Sequence, residues 1–240
     1  MSEELFNASA DLQSAGSRFA QEGRALIPEI LHSDFARELA AELLEEEDWN
    51  LVFRDNGRHY DLHRTQWQAL TEQNHELLRQ RVLAVGRLEF QYWYYNIPLF
   101  DMVSQGRTLG PQAQQLYDLL QSDAFIGRMR QVTTVPAIDF ADCQATLYKE
   151  GSFLSRHDDE VAGKNRHAAF VLGLSSDWRA DWGGLLTFPD DESGSGSYFQ
   201  PGFNNLYLFR VPQPHLVSMV SPLAQQGRLS ITGWLRSRPD

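Results

Sequence analysis

Four residues in the second half of the chain could together form a reactive metal site. His157 and Asp159 are two positions apart, His215 follows 56 residues after Asp159, and Arg228 follows 13 residues after His215. Two imidazoles and one carboxylate are the ligand set of non-haem Fe(II) centres that keep coordination positions open. A basic side chain shortly downstream suits the far carboxylate of 2-oxoglutarate. The spacing therefore predicts both a metal and a cosubstrate.

The two residues of the His-x-Asp pair must share a face if they are to bind one ion. In an extended backbone His157 and Asp159 do so, because side chains two positions apart leave a strand on the same side. They could then meet a third ligand from a distant strand, and His215 in the segment QPHLVSMV is the candidate. A His-x-Asp pair alone is common by chance, so three unrelated polar residues are the alternative.

The segment GRLSITGWLR reads as a strand with one polar face, which carries Arg228, Ser230, Thr232 and Trp234. An edge strand that shows this face to water is the alternative. Trp234 argues against it, because a large aromatic ring is costly to leave in water. An internal arginine needs an anionic partner. The 5-carboxylate of 2-oxoglutarate would provide one, with Ser230 donating a further hydrogen bond.

Aromatic residues near these strands have two interpretations each. Tyr148 lies nine residues before His157, and its hydroxyl could reach the cosubstrate carboxylate or belong to a structural tyrosine. The stretch Tyr92 to Tyr95 could stack on a substrate ring, although such stretches more often form core. His59 and His63 could form an i,i+4 metal pair on a helix, but the neighbouring Asn56-Gly57 favours a turn there instead.

Composition restricts the class of protein. The 240 residues carry a net charge of −11, which argues against a general binder of nucleic acid or anionic membranes but not against docking to a basic protein. The single cysteine, Cys143, excludes an internal disulfide and fits a reducing compartment. No signal peptide or long apolar run is recognisable. We therefore expect a cytoplasmic protein that contacts neither nucleic acid nor membrane.

The chain changes character near residue 140. Before that point helical patterns dominate, and after it short strands alternate with turns. The predicted helices are 34–47 with Ser33 as its cap, 66–85, 111–122 and 123–130. A strand followed by a loop is predicted for 88–100. The predicted later strands are 143–149, 166–174, 184–188, 205–209, 215–220 and 228–235.

These elements predict one domain, in which residues 1–140 form a mainly helical support and residues 141–240 a core with a sandwich or jelly-roll architecture. The segment PDDESGSGS at 189–197 is too polar and too rich in glycine and serine to pack, and we expect it to be mobile.

At these residues the chain resembles a known family, the 2-oxoglutarate- and Fe(II)-dependent oxygenases. Within that family it is similar to the prolyl hydroxylases, in particular the catalytic domain of the eukaryotic ribosomal-protein prolyl hydroxylases. The likeness runs from about Cys143 to Arg236. Its motifs, in the family's order, are HDDE at 157–160, RHAAFVLGLSSDW at 166–178, GGLLTF at 183–188, FNNLYLF at 203–209, PHLVSMV at 214–220 and GRLSITGWL at 227–235.

The resemblance implies a fold and a set of site residues. The fold is an α+β structure with a mainly β core, a double-stranded β-helix (jelly roll) with N-terminal helices packed on one sheet. The implied metal ligands are His157, Asp159 and His215. The implied cosubstrate pocket contains Arg228, Ser230 and Tyr148, with Thr232 and Trp234 in its wall.

The resemblance also implies a reaction. Fe(II), 2-oxoglutarate and O2 would hydroxylate an unactivated C–H bond, with ascorbate supporting activity and with succinate and CO2 released. The implied substrate is a prolyl residue of a protein or peptide. A free amino acid or another small molecule is the alternative substrate. A non-catalytic metal-binding jelly roll is a third interpretation, which a missing ligand would have favoured.

Two departures from the family pattern bear on the substrate. Gly173 stands where relatives carry a tyrosine that faces the cosubstrate, so we expect Tyr148 to be the hydroxyl donor and the pocket to be larger there. The eukaryotic ribosomal enzymes also carry a second, degenerate jelly roll, which the 240 residues do not include. The ribosomal substrate is therefore not carried over with the resemblance.

Overall fold

The structure is a computed structural model and describes residues 2–238. Its α-helices precede most of the strands in the chain and pack together on one side of a curled sheet. They are α1 Leu12–Glu22, α2 Ser33–Glu45, α3 Arg64–Gln68, α4 Glu72–Gly86, α5 Leu99–Ser104, α6 Pro111–Gln121 and α7 Asp123–Thr133. No helix among residues 2–238 is both long enough and apolar enough to cross a bilayer.

The strands form one antiparallel sheet that includes segments from both halves of the chain. The strands are β1 Arg24–Ile27, β2 Asn50–Asp55, β3 Arg58–Leu62, β4 Tyr92–Ile97, β5 Phe140–Tyr148, β6 Phe153–His157, β7 Arg166–Gly173, β8 Leu186–Asp190, β9 Ser195–Phe199, β10 Asn205–Arg210, β11 His215–Val217 and β12 Arg228–Arg236.

The sheet curls at β4, which makes two layers of it. The first half of β4 pairs with β6 and its second half with β5. On one side of this bend lies the major layer, in the order β1-β10-β7-β12-β5. On the other side lies the minor layer, β6-β11-β8-β9. The two layers face each other across the interior of the roll, so the expected α+β jelly roll is confirmed.

The major layer buries side chains on both faces. On the outer face, Leu229, Ile231 and Leu235 of β12 belong to a large apolar core shared with the helices. On the inner face, Trp234 packs against a second cluster between the two layers, which includes Tyr148 and Val217. Period-two alternation along the strand therefore sends neighbouring residues into two different cores.

The predicted helix 66–85 is interrupted at residues 69–71. The structure has two helices there, α3 and α4, separated by a break at which the Thr71 side chain accepts a hydrogen bond from the Asn74 backbone N–H. Threonine favours such caps over helix interiors because its hydroxyl can satisfy a free backbone N–H. The buried face of α4 is narrow, since Val82 is buried but Leu77 is 55% exposed.

Other local predictions need smaller corrections. Helix α2 begins at Ser33, but the N-cap position is His32 and no side chain caps it. The loop expected after β4 is the short helix α5. The segment 189–197 contributes to β8 and β9, which pair as a hairpin. Strands β1, β2, β3, β6 and β9 were not predicted, and the first three come from the part expected to be mainly helical.

Candidate metal centre and cosubstrate pocket

The minor layer brings the three predicted metal ligands together. His157 ends β6 and His215 begins β11, and the two residues are directly paired across these antiparallel strands. Nε2 of His157 lies 3.2 Å from one carboxylate oxygen of Asp159, and Nε2 of His215 lies 3.5 Å from the other. One donor atom from each residue lies within 4.8 Å of the others, a spacing that fits a single ion. Among residues 2–238 they form the one such group.

Backbone carbonyls orient both imidazole rings. Nδ1 of His157 lies 2.9 Å from the carbonyl oxygen of Ser155, and Nδ1 of His215 lies 2.8 Å from that of Gln213. Because a carbonyl oxygen can only accept, each Nδ1 carries the proton and donates it. The lone pair of each Nε2 is then free and faces Asp159, which is the arrangement that metal-ligating histidines use.

Burial and mutual contact favour the charges that a metal needs at His215 and Asp159. Burial, and next the neighbouring His157, lowers the pKa of His215 to about 4, so that this imidazole is neutral near pH 7. Burial alone would raise the pKa of Asp159, but its contacts with the His157 and His215 side chains outweigh it and lower the pKa. A neutral imidazole beside an ionised carboxylate suits a divalent cation.

Arg228 at the start of β12 is a buried cation without a carboxylate partner. Its residue is 3% exposed, and burial lowers the pKa of its guanidinium. Among residues 2–238 no carboxylate offsets this effect, which only the phenol groups of Tyr148 and Tyr207 oppose, and the buried Nε has no hydrogen-bond partner. The guanidinium carbon lies 5.2 Å from the ring centre of Tyr148. A buried, unpaired arginine is costly, so its environment favours an anionic ligand.

The two other predicted cosubstrate residues differ in placement. Tyr148 is buried, lines the cavity and stacks on Tyr94 with ring centres 5.1 Å apart. Ser230 is also buried, but its hydroxyl lies 2.9 Å from that of Thr146 on the paired strand β5. Thr146 lines the cavity and Ser230 does not. Ser230 therefore supports Thr146 in this structure instead of facing the cavity itself.

One cavity connects the metal ligands to Arg228. It has a volume of about 800 Å³ and contains the three ligands, Tyr148 and Arg228 in its lining. The two predicted wall residues, Thr232 and Trp234, also line it. The space between the ligand group and the guanidinium can therefore hold a small dicarboxylate, with room left for part of a second substrate.

An aromatic row on β4 forms part of the cavity wall, and each of the two alternatives for Tyr92 to Tyr95 describes half of the stretch. Tyr92 and Tyr94 line the cavity, whereas Trp93 and Tyr95 belong to the core shared with the helices. Phe90 precedes the strand and lies 5.0 Å from the ring of His157. The stretch is thus half core and half cavity wall, because successive side chains of a strand point to opposite faces.

Cavity residues that were not predicted include Phe90, Gln144 and Thr146. A signal for two of them was present, since Gln144 and Thr146 precede Tyr148 at period-two spacing on β5. Applying the same alternation that identified the polar face of β12 to this strand would have found them.

The pocket is not enlarged at Gly173, contrary to the expectation. A Cβ atom at this position would lie 2.2 Å from the backbone oxygen of Gly202. The backbone of the neighbouring loop thus occupies the space into which a side chain at position 173 would project. Position 173 must remain glycine as long as this loop keeps its path.

His59 and His63 do not form a metal pair. His59 lies on β3, and its Nδ1 is 2.8 Å from the hydroxyl of Tyr92 at the cavity wall. The His63 side chain instead accepts a hydrogen bond from the Thr65 backbone and caps α3. The expected turn at Asn56-Gly57 is present as the connection between β2 and β3.

Comparison with known proteins agrees with this geometry. Residues 143–236 match the model of the 2OG-Fe(II) oxygenase superfamily. A curated mouse protein, prolyl 3-hydroxylase OGFOD1, is 30% identical over 132 residues, which are 52% of this chain and 23% of that protein. The chain thus spans about a quarter of the length of this relative.

Two solved structures share the fold. A prolyl-4-hydroxylase from Pseudomonas putida superposes with a TM-score of 0.62 and 22% identity, over 95% of this chain and 100% of that one. A prolyl hydroxylase from Trichoplax adhaerens, in complex with a hypoxia inducible factor peptide, gives a TM-score of 0.62 and 19% identity, over 94% of this chain and 89% of that one. Residues 143–236 are thus similar in sequence to the 2OG-Fe(II) oxygenase superfamily, and the His-Asp-His ligand group lies within them.

Proposed function

We propose that this protein is a 2-oxoglutarate- and Fe(II)-dependent dioxygenase that hydroxylates a prolyl residue of a protein or peptide. The observation that carries the proposal is the placement of two kinds of group in one cavity. A His-Asp-His ligand group lies at one position and a buried arginine without an acidic partner at another. Arg228 does not neutralise the ligand group, and the ligand group does not neutralise Arg228. The cavity therefore suits a cation at the His-Asp-His group together with a dianion at the arginine.

The donor set fits Fe(II), because two imidazoles and one carboxylate leave coordination positions open for a bidentate ligand and O2. When bound, Fe(II) and 2-oxoglutarate supply the oxidising chemistry with O2, and succinate and CO2 are released as a C–H bond is hydroxylated. Asp159 provides the anionic ligand, and the Nδ1–H groups of His157 and His215 keep the imidazoles in one tautomer.

The remaining side chains of the cavity bind and orient 2-oxoglutarate. Arg228 is the partner for the distal carboxylate of 2-oxoglutarate, and Tyr148 is the neighbouring hydroxyl donor. Tyr94 stacks on Tyr148 and fixes its ring. Thr146 presents a second hydroxyl, which Ser230 positions. Thr232 and Trp234 form part of the wall of the same cavity.

The choice of a prolyl substrate rests on two kinds of support. The mouse relative is a prolyl 3-hydroxylase, and both structural neighbours described above are prolyl hydroxylases. In addition, Phe90 and Tyr92 provide aromatic faces in the cavity beside His157, and such faces suit the ring of a proline. We further infer a cytoplasmic location from the single buried cysteine.

The first experiment measures conversion of 2-oxoglutarate to succinate by purified full-length protein with Fe(II) and ascorbate. We expect turnover in the absence of any prime substrate, at a low rate, and none from His157→Ala. Turnover by the wild type that is no faster than that by His157→Ala would contradict the proposed enzyme class and favour a non-catalytic metal-binding module.

The second experiment identifies the substrate by mass spectrometry of cell extracts treated with wild-type protein or with Asp159→Ala. We expect a gain of oxygen mass on proline in a small number of proteins, in the wild-type sample alone. Hydroxylation that appears only on free amino acids or other small metabolites would contradict the prolyl assignment while leaving the oxygenase assignment in place.

A further inference from the structure

Asp159 has a backbone conformation that its neighbours must maintain. It lies in the loop 158–165 between β6 and β7, and its φ of 66° places it in the left-handed region. Residues with a Cβ rarely adopt this conformation because it crowds the side chain against the backbone. Such residues persist where surrounding contacts over-determine them, often at functional sites. We therefore expect a contact with a neighbouring residue to hold the Asp159 backbone in this conformation.

Arg166, the first residue of β7, makes that contact. Its Nη1 donates a hydrogen bond of 3.0 Å to the backbone carbonyl oxygen of Asp159 itself. The carbon of its guanidinium lies 3.6 Å above the ring centre of Trp234, and its Nε is buried without a hydrogen-bond partner. Stacking on the indole thus fixes the plane of the guanidinium, which in turn fixes the direction of the hydrogen bond to Asp159.

A second arginine, Arg236, forms a hydrogen bond with the other end of the same loop. Nε of Arg236 donates to the backbone oxygen of Lys164 at 2.8 Å, and its Nη1 pairs with Asp142 at 2.9 Å. Asp142 also accepts a hydrogen bond of 2.8 Å from the backbone N–H of Trp234. The loop that carries Asp159 is therefore attached at both ends to β12 and its neighbour β5.

Trp234 connects this arrangement to the cavity. Its indole N–H is buried and has no partner within hydrogen-bond geometry among the described residues. Trp234 lines the same cavity as Asp159, and its ring stacks on the arginine that bonds to the Asp159 backbone carbonyl.

From these contacts we infer that Arg166 is a positioning residue, which holds Asp159 in its left-handed conformation and so aims the carboxylate at the two histidines. The inference rests on the proposed metal site and adds a residue that does not itself touch the metal. It predicts that the loss of Arg166 weakens metal binding although all three ligands remain in the chain.

The test is a titration of the full-length protein with Mn(II), in which electron paramagnetic resonance measures the free ion. We expect Arg166→Gln to raise the Kd for Mn(II) by about 10- to 100-fold, the usual effect of removing a group that orients a metal ligand. Absorption of bound Co(II) should change as well, because the carboxylate approaches the ion differently.

Arg130→Gln is the matched control. Nε of Arg130 also donates to a backbone carbonyl, that of Ile138 at 2.7 Å, but at the end of α7 and outside the cavity. Its Kd for Mn(II) should stay within about twofold of the wild-type value, since most substitutions away from a site have small effects. Thermal unfolding of each variant establishes that it is folded.

If Arg166→Gln does not unfold cooperatively, Arg166→Lys is the variant that tests whether Arg166 positions Asp159. Lysine keeps the positive charge but lacks the planar fork, so the stack and the directed hydrogen bond are lost. We expect its Kd for Mn(II) to rise by about tenfold or more. A folded Arg166 variant with wild-type Mn(II) affinity and Co(II) absorption overturns the inference, even if its KM for a peptide substrate rises, because the arginine would then contact substrate.

Failure of the proposed function gives a different result. In that case wild-type protein would bind Mn(II) no more tightly than His157→Ala. Tight binding by the wild type, lost in His157→Ala but retained in Arg166→Gln, would leave the proposed metal site intact and overturn only the role of Arg166.

Discussion

The two faces of strand β12 differ in whether they contain buried polar atoms without hydrogen-bond partners. The outer face places Leu229, Ile231 and Leu235 in the core shared with the helices. The inner face places Arg228, Thr232 and Trp234 in the wall of the cavity. Both faces are largely buried, but only the inner one contains donors that the protein does not satisfy. One strand thus contributes stability on one side and binding capacity on the other.

The unsatisfied donors are concentrated at the cavity. Among residues 2–238, five buried side-chain atoms lack a hydrogen-bond partner, and three of them belong to Arg166, Arg228 and Trp234, which all line the cavity. Because folded proteins satisfy nearly all buried polar groups, a concentration of exceptions marks a place where a ligand completes the structure. Burial alone therefore does not distinguish the core from the site, whereas buried polar atoms without hydrogen-bond partners do.

The largest expected effect comes from removing a metal ligand on the inner side of the roll. His215→Ala should reduce the conversion of 2-oxoglutarate to the rate measured without enzyme, because the remaining two ligands no longer enclose the ion. Mn(II) titration and succinate production measure the two losses independently. Full turnover by a folded His215→Ala protein would contradict the assignment of the cavity as the active site.

Arg228→Met should affect activity and stability in opposite directions. Loss of the charged partner of the cosubstrate should cost about 2–5 kcal/mol of binding, so the KM for 2-oxoglutarate should rise on the order of 100-fold. Without ligand, the variant should be more stable by about 1 kcal/mol or more, because a buried charge without a partner has been removed. Steady-state kinetics and thermal unfolding of the ligand-free protein measure the two changes.

A fall in the stability of ligand-free Arg228→Met would mean that the guanidinium is already satisfied in the protein alone. The inner face of β12 would then resemble the outer face, because it too would lack an unsatisfied charged donor.

Ile231→Ala tests the outer face of the same strand. Ile231 is fully buried in the helix-facing core, and truncating it should lower the free energy of unfolding by about 2–5 kcal/mol. At a temperature where the variant is folded, its KM for 2-oxoglutarate should remain close to the wild-type value. Denaturant unfolding and steady-state kinetics measure the two effects. A large rise in KM would show that the two faces are coupled through the strand.

Tyr148→Phe should give the smallest effect in this series. It keeps the aromatic ring that stacks on Tyr94 and removes only the hydroxyl. A hydrogen bond to a charged group contributes about 1.5 kcal/mol or somewhat more, so the KM for 2-oxoglutarate should rise on the order of tenfold. Unfolding should hardly change. If the KM is unaltered, Tyr148 is a structural tyrosine and Thr146 is the hydroxyl donor to examine next.

Sequence reasoning was most successful where one strand carries the whole signal. Alternation along 228–235 separated Arg228, Thr232 and Trp234 from the apolar residues, and the structure has them on the two faces expected. The same reasoning failed for Ser230, which shares the polar face but bonds to Thr146. Alternation identifies a face, but the partner across the strand decides which residue of that face reaches the cavity.

Sequence reasoning was least successful for contacts between segments that are distant in the chain. The strands β1 to β3 were not recognised, because their residues acquire a strand pattern only through partners such as β10 and β4. Nothing local indicated that Arg166 would bond to the backbone of Asp159 and stack on Trp234. Nor did any local pattern indicate that the backbone of Gly202 would fill the space beside Gly173.

The sequence by itself determined which chemical groups were available and in what order: two imidazoles, one carboxylate and one arginine. The motifs that carry the family resemblance are also local, so they too could be read directly. Only the tertiary structure decided that the ligands converge, that Arg228 has no acidic neighbour, and which residues hold Asp159. Those properties depend on the pairing of distant strands and on the exclusion of water between two layers, and neither is encoded within a short segment.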